Sequence, residues 1–147
     1  MNRRSEKGQA VILVLGMMAM LLLALTLAFD FGRFFLLRSR VRTIADTAAL
    51  AGAGALDIQR SAGGDFAVNT IWAQARALEV YQKSLALNPK DTWMTISLGG
   101  ISVNGRAVTV TVNGTCPSVW GGFFGIGAFS TSVTSDARAA VGITRER

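Results

Sequence analysis

Reactive side chains are scarce in this sequence, and the most conspicuous of them, Asp30 and Arg33, close a long uncharged run. An ionised carboxylate inside hydrocarbon is costly. Asp30 must therefore lie at a membrane interface or find a partner such as a neighbouring amino terminus or an arginine. The chain has no histidine and a single cysteine, Cys116, which excludes an intrachain disulfide and a cysteine metal cluster. Cys116 is either buried and free or paired with another chain. Asp57 and Asp65 flank a glycine-rich turn and read as helix caps rather than as an acid–base pair. The glycines of "GGFFGIG", Gly121 to Gly127, do not follow a strand and open a helix with phosphate-loop spacing, so they make a loop. No nucleophile, acid–base pair, metal site or cofactor site emerges, and no small-molecule substrate is evident. The expectation is a non-enzymatic protein.

The elements that carry these residues begin with an anchor. Ala10 to Phe29 is a run of 20 residues without a charge and with one hydroxyl, Thr26. As a helix it is roughly 30 Å long, the thickness of a bilayer's hydrocarbon core. It is apolar all round and longer than the core of a cleaved signal peptide, so a retained transmembrane helix is expected. Residues 1–9 form a short tail ahead of it. Arg3, Arg4 and Lys7 lie on one side of the span and Arg33, Arg38, Arg40 and Arg42 on the other. The positive-inside rule is therefore nearly balanced. Orientation has to come from the short tail and the character of the C-terminal domain.

The net charge of +6 is unevenly spread. Residues 1–46 carry +4 and residues 47–147 carry +2, so the excess basicity flanks the membrane, where it can meet lipid phosphates. A nucleic-acid partner would need a basic face on the soluble part, and that part is close to neutral.

Beyond the membrane, Phe34, Leu37, Val41, Ile44, Ala48, Ala51, Ala55 and Ile58 follow one another at alternating spacings of three and four. This is an a/d-type seam over about three and a half heptads. No proline interrupts Met1 to Ile58, so one helix is expected from about Gly8 to about Arg60, with residues 30–60 extending outside the membrane. The seam tapers to alanine, and small residues let another backbone approach closely. It reads as a docking strip, for either this chain's own later elements or other subunits.

"SAGGD", Ser61 to Asp65, breaks that helix, and a small α+β domain over 61–147 follows. A second helix is expected over 66–87, with Val68, Ile71, Trp72, Ala75, Leu78 and Leu85 on its buried face and Arg76, Glu79 and Lys83 in solvent. "NPKD" ends it. The period then changes to two. Met94, Ile96 and Leu98 share a face, with Ile101–Val103 continuing the strand; Val108, Val110 and Val112 share another. Asn104-Gly105 marks a hairpin turn between them. A third strand is expected over 129–143, with Phe129, Thr131, Val133, Ser135, Ala137, Ala139 and Val141 on one face. Between strands, Ser118 to Ile126 is expected to hold a short helical turn showing Val119, Trp120, Phe123 and Phe124. The fold class is α+β: a long N-terminal helix, a second helix and an antiparallel sheet of about three strands. The soluble part, about 85 residues, can bury only a modest core, so support from the long helix is expected.

Lys7 to Leu56 resembles the N-terminal segment of TadE/TadG-like proteins of the tight-adherence (Flp) pilus machinery. The shared marks are Gly8-Gln9-Ala10 at the helix start, Asp30, Gly32 and Arg33 at the membrane exit, and the strip Ala45-Asp46-Thr47-Ala48-Ala49-Leu50-Ala51-Gly52-Ala53. Residues 105–141, with alternating valines, "VWGGFFGIG" and a strand ending "DARAAV", are similar as well. The resemblance implies a single-pass, pilin-like protein. Its N-terminus would be cytoplasmic and its α+β domain would lie outside the cytoplasmic membrane. Its partners would be membrane lipid and other pilin-like subunits or pilus-assembly membrane proteins. Leu13, not a glutamate, stands five residues after Gly8, which argues against prepilin-type processing there. The resemblance does not extend to the large C-terminal adhesion-type domain of longer members, so no function carried there is expected of these residues. The rival reading is a membrane-tethered extracytoplasmic binding module unrelated to pili. It would grip its target through Trp93 or through a partner loop containing Trp120, Phe123 and Phe124.

Overall fold

The computed structural model describes residues 3–55, 68–87 and 93–139, excepting the side chains of residues 3–7, Phe123 and Phe124. Helix α1 runs from Arg3 to Ala53 without a break. Its 51 residues make a rod of about 75 Å. The one hydroxyl in the apolar run is satisfied internally, because Thr26 Oγ1 donates to the Leu23 carbonyl at 2.8 Å. The helix ends at Ala53, short of the expected Arg60. Gly52 and Gly54 fall in its last turn, and each glycine weakens a helix by about 1 kcal/mol relative to alanine. The chain turns there, with Gly54 N–H bonding to the Leu50 carbonyl and Ala55 N–H to that of Gly52. Asp57, Ile58 and the Ser61–Asp65 break lie outside the described residues, as do the "NPKD" stop and Val141.

Helix α2 spans Thr70–Leu87. It starts later than the expected residue 66 because Val68 is drawn toward the sheet, its N–H bonding to the Gly105 carbonyl. Asn69 caps the helix, its Oδ1 accepting from Trp72 N–H at 3.2 Å, in the manner of an N-cap amide.

Three strands form an antiparallel meander, β1 (Thr95–Asn104), β2 (Ala107–Pro117) and β3 (Ala128–Arg138), with β2 central. The β1–β2 hairpin closes through Gly105 and Arg106. Gly105 takes φ +59° and Arg106 stays at negative φ, which is the pattern of a type II′ turn with glycine first. The β1 register shifts between Leu98 and Gly100. That bulge explains how Ile96 and Leu98, then Ile101 and Val103, all face the core although their parity changes.

The inner face of the sheet lies on the C-terminal half of α1, with α2 beside it. Val108, Val110, Val112 and Cys116 of β2 are fully buried, as are Leu37, Val41, Ala45, Ala48 and Ala49 of α1 and Ala73 and Ala77 of α2. The outer face of the sheet carries hydroxyls that pair across strands. Thr109 donates to Asp136 at 2.5 Å and Thr111 meets Thr134 at 3.1 Å.

The buried face of α2 differs from the expected one. Ala73, Ala77 and Tyr81 face inward, whereas Ile71, Trp72, Ala75 and Leu78 face out. Val68 is buried and Leu85 partly so, as expected. The reason is the width of the gap. A Cβ on Gly52 would come within 3.1 Å of the Ala73 carbonyl oxygen and 3.3 Å of the Ala77 Cβ. Beside Gly52 two helices that close have room for alanine only, so Ile71, Trp72 and Leu78 turn away, and the larger Tyr81 is buried one turn beyond Ala77.

Candidate functional site

Asp30 sits one residue beyond the apolar run and is 6% exposed. Ser118 Oγ donates to its Oδ2 at 2.6 Å. Val119 N–H donates to Oδ1 and Trp120 N–H to Oδ2, both at 3.2 Å. Ser118 Oγ in turn accepts from Gly121 N–H at 2.7 Å. The partner of Asp30 is thus a loop of its own chain rather than a neighbouring amino terminus or arginine. The hydrogen bond from Ser118 does most to hold its carboxyl below the ordinary carboxylate value. Burial opposes this, and the two backbone N–H groups and the Arg33 charge assist it. The geometry is that of a latch: one ionised side chain satisfies three donors at the start of a loop, and the loop is thereby fixed to the helix.

Other residues near this end of the apolar run gather around the latch. The Arg33 guanidinium lies 4.8 Å from the centre of the Trp93 ring, a cation–π contact. Phe34 packs obliquely on Phe129, ring centres 5.8 Å apart. Gly32 faces open space, so nothing inside the chain requires its small size. The loop itself contains a single tight helical turn, Gly121–Phe124, near the position the sequence indicated. Val119 and Trp120 are exposed beside it. The side chains of Phe123 and Phe124 lie outside the described residues.

The seam is taken up within the chain. Leu37, Val41, Ile44 and Ala48 are buried, while Phe34, Ala51 and Ala55 are partly so. Ala45, Ala49, Gly52 and Ala53 join them, making the buried stripe wider than a two-position seam. Gly114 on β2 meets this stripe. A Cβ there would lie 2.6 Å from Val41 Cγ2 and 2.9 Å from Leu37 Cδ1, so only glycine lets helix and sheet approach this closely. Asp46, in the middle of the strip, accepts from Ser135 Oγ of β3 at 2.6 Å and lies 3.7 Å from Arg42. Cys116 is a buried free thiol, and burial above all pushes its pKa up. Among the described residues no three of His, Cys, Asp and Glu gather as a metal would need.

Ser118, Gly114 and Asp46 escaped sequence reasoning. Periodicity is blind to a lone hydroxyl in a loop and to a glycine inside a valine-rich strand. The one available signal was the cost of a carboxylate at the end of an apolar run, which demands donors, and "PSVWGG" offers a hydroxyl followed by free N–H groups.

Residues 8–55 match the family model of putative Flp pilus-assembly TadE/G-like proteins. Over this segment the chain is similar to TadE/G-like proteins. No curated protein and no solved structure matches the chain. The matched segment begins at Gly8 and ends at Ala55, close to where α1 itself ends. It contains the apolar run, the latch carboxylate and the entire buried stripe of α1. Its apolar window has no residue buried within the chain, and the helix fits a single-pass membrane anchor. Residues 105–141 lie outside the match.

Proposed function

We propose that this chain is a membrane-anchored, pilin-like structural or assembly component of a tight-adherence (Flp) pilus or a related secretion system. The observation that carries this reading is the TadE/G-like match over residues 8–55, a segment that supplies both the apolar span and the scaffold of the domain. In this reading residues 10–29 cross the cytoplasmic membrane once. The short N-terminal tail is cytoplasmic and the α+β domain is extracytoplasmic. Partners are membrane lipid and other pilin-like subunits or pilus-assembly membrane proteins. The role is non-enzymatic: Asp30 and Asp46 engage donors of the chain's own backbone and hydroxyls, which is positioning rather than chemistry.

Because Leu37 to Ala49 pack on the chain's own sheet and second helix, protein partners are assigned to surfaces that remain open. These are the bare side of α1 around Gly32 and the outer face of α2, where Ile71 is 79% and Trp72 69% exposed. A shallow apolar groove between Ile71, Ala75 and Leu78 of α2 and Leu98 and Ile101 of β1 favours the second reading, a tethered binding module. Site-specific photocrosslinking from positions 32 and 72 in the native cell separates the two. Adducts to pilin-like subunits or pilus-assembly membrane proteins support the pilus reading. Adducts to unrelated envelope components from position 72, with lipid alone at position 32, support the tethered module.

A further inference from the structure

We propose that the loop of residues 118–127 is a second membrane contact, seated in the headgroup–acyl boundary of the leaflet where α1 emerges, with a lipid acyl chain in the cleft between loop and helix. This rests on the reading of residues 10–29 as the membrane span.

The latch fixes the level of the loop. Three hydrogen bonds tie Ser118, Val119 and Trp120 to Asp30. A cleft of about 320 Å³ is left between helix and loop, its lining mostly apolar (Leu27, Phe31, Trp120, Ile126 and Phe129), with Thr26 and the latch pair Asp30 and Ser118 also lining it. Leu27 to Phe31 covers about 6 Å of helix. The interfacial zone of a bilayer is about 5–8 Å deep on each side, so the cleft lies at the depth where the apolar run gives way to headgroups.

The side chains match that depth. Val119 is 52%, Trp120 44% and Ile126 46% exposed. On the helix, Phe29, Phe31 and Phe35 are exposed at the same end of the run. Aromatic rings concentrate at membrane interfaces, and large apolar side chains held in water would be a liability.

The loop backbone suits the site too. Non-helical backbone near hydrocarbon needs its polar groups satisfied. Gly121 N–H bonds to Ser118 Oγ, Gly125 N–H to the Gly122 carbonyl, Ile126 N–H to that of Gly121, and Ser118 N–H to that of Gly127. Gly125 supplies the positive φ, +75°, that closes the turn.

The test uses the full chain reconstituted in phosphatidylcholine vesicles. Trp72→Phe and Trp93→Phe together leave Trp120 as the reporter, and Trp120→Phe in the otherwise native chain gives the same signal by difference if the double variant folds poorly. Vesicles are made with lipids brominated either near the headgroup end or near the tail end of the acyl chain. The expected result is a blue-shifted Trp120 emission, quenched more by the shallow bromolipid than by the deep one and weakly by aqueous acrylamide. Strong acrylamide quenching with no bromolipid effect overturns the proposal while leaving the anchor intact. So does a Trp120 shielded from both quenchers, which would place a second copy of the chain over the cleft. Flotation of the vesicles after alkaline carbonate reads the anchor independently: a chain that is stripped off overturns the span reading, and this proposal with it.

Discussion

Asp30 and Ser118 lie 88 positions apart and meet at 2.6 Å, joining the end of the apolar run to the loop that separates β2 from β3. The carboxylate that sequence placed at the end of the apolar run thus ties the β2–β3 loop to α1, beyond the buried stripe that carries the rest of the domain.

Asp30→Ala removes the acceptor of three donors. Two of these, the N–H groups of Val119 and Trp120, have no side-chain freedom to seek another. Leaving a buried donor unmade costs about 1–3 kcal/mol, and these bonds are partly buried, so a loss toward the lower end is expected. The variant is expected to insert in the membrane normally but to melt earlier in detergent, with proteolysis first appearing at the 118–127 loop. Unchanged melting and an intact loop would show that the latch contributes nothing.

The latch also has a predictable acid response. The folded-state pKa of Asp30 is depressed, so its stabilisation is fully present above the ordinary carboxylate pKa of about 4. It is lost as pH falls through the lower, folded-state value. Denaturant titrations of the native chain between neutral pH and strong acid should steepen in that window. Asp30→Asn, which cannot ionise, should flatten the acid limb, and an identical limb in both proteins would remove the latch from the account.

Gly114→Ala forces a methyl group into space already held by Val41 and Leu37. Overpacking of this kind costs about 1–3 kcal/mol. Leu37→Ala creates the opposite defect, a cavity, at about 2–5 kcal/mol. Combining the two is expected to be milder than the sum, because the smaller side chain makes room for the added methyl. Additive losses by thermal melting would argue that they do not touch.

Trp72→Ala should leave stability within about 0.5 kcal/mol, as surface substitutions do, because the ring is mostly exposed. Its effect should instead appear in the recovery of partners from detergent-solubilised native membranes. Val41→Asp cannot serve that purpose: it places a carboxylate in the core, and any partner loss would follow from unfolding.

Cys116 is 1% exposed and its thiol is held in the protonated form. Since the thiolate is the reactive species, alkylation by a maleimide should be slow in the folded chain and fast after denaturation. Fast labelling of the native protein, or a disulfide-linked dimer on non-reducing gels, would contradict this.

Much of the architecture was legible in residue patterns. An uncharged run with an all-round apolar surface can only be a span or a buried helix, and no proline stops it before the strip. The valines of β2 alternate so strictly that their inner face was readable from spacing alone. The positive φ at Gly105 follows from the demands of a two-residue hairpin turn. These features depend on neighbours a few positions away, which is why sequence by itself determined them.

The tertiary structure decided what required two distant surfaces to meet. Ala73 and Ala77 displaced Ile71, Trp72 and Leu78 from the inner face of α2, because the distance to α1 is set by Gly52 and its alanines rather than by the hydrophobicity of α2. Gly114 mattered only once Val41 and Leu37 were opposite it. The seam's occupant was undetermined until the sheet lay on it, since a strip of small residues accepts any close backbone. Asp30 needed a hydroxyl and two N–H groups from a loop far along the chain, and no local pattern records which donors a folded chain will bring to a buried charge.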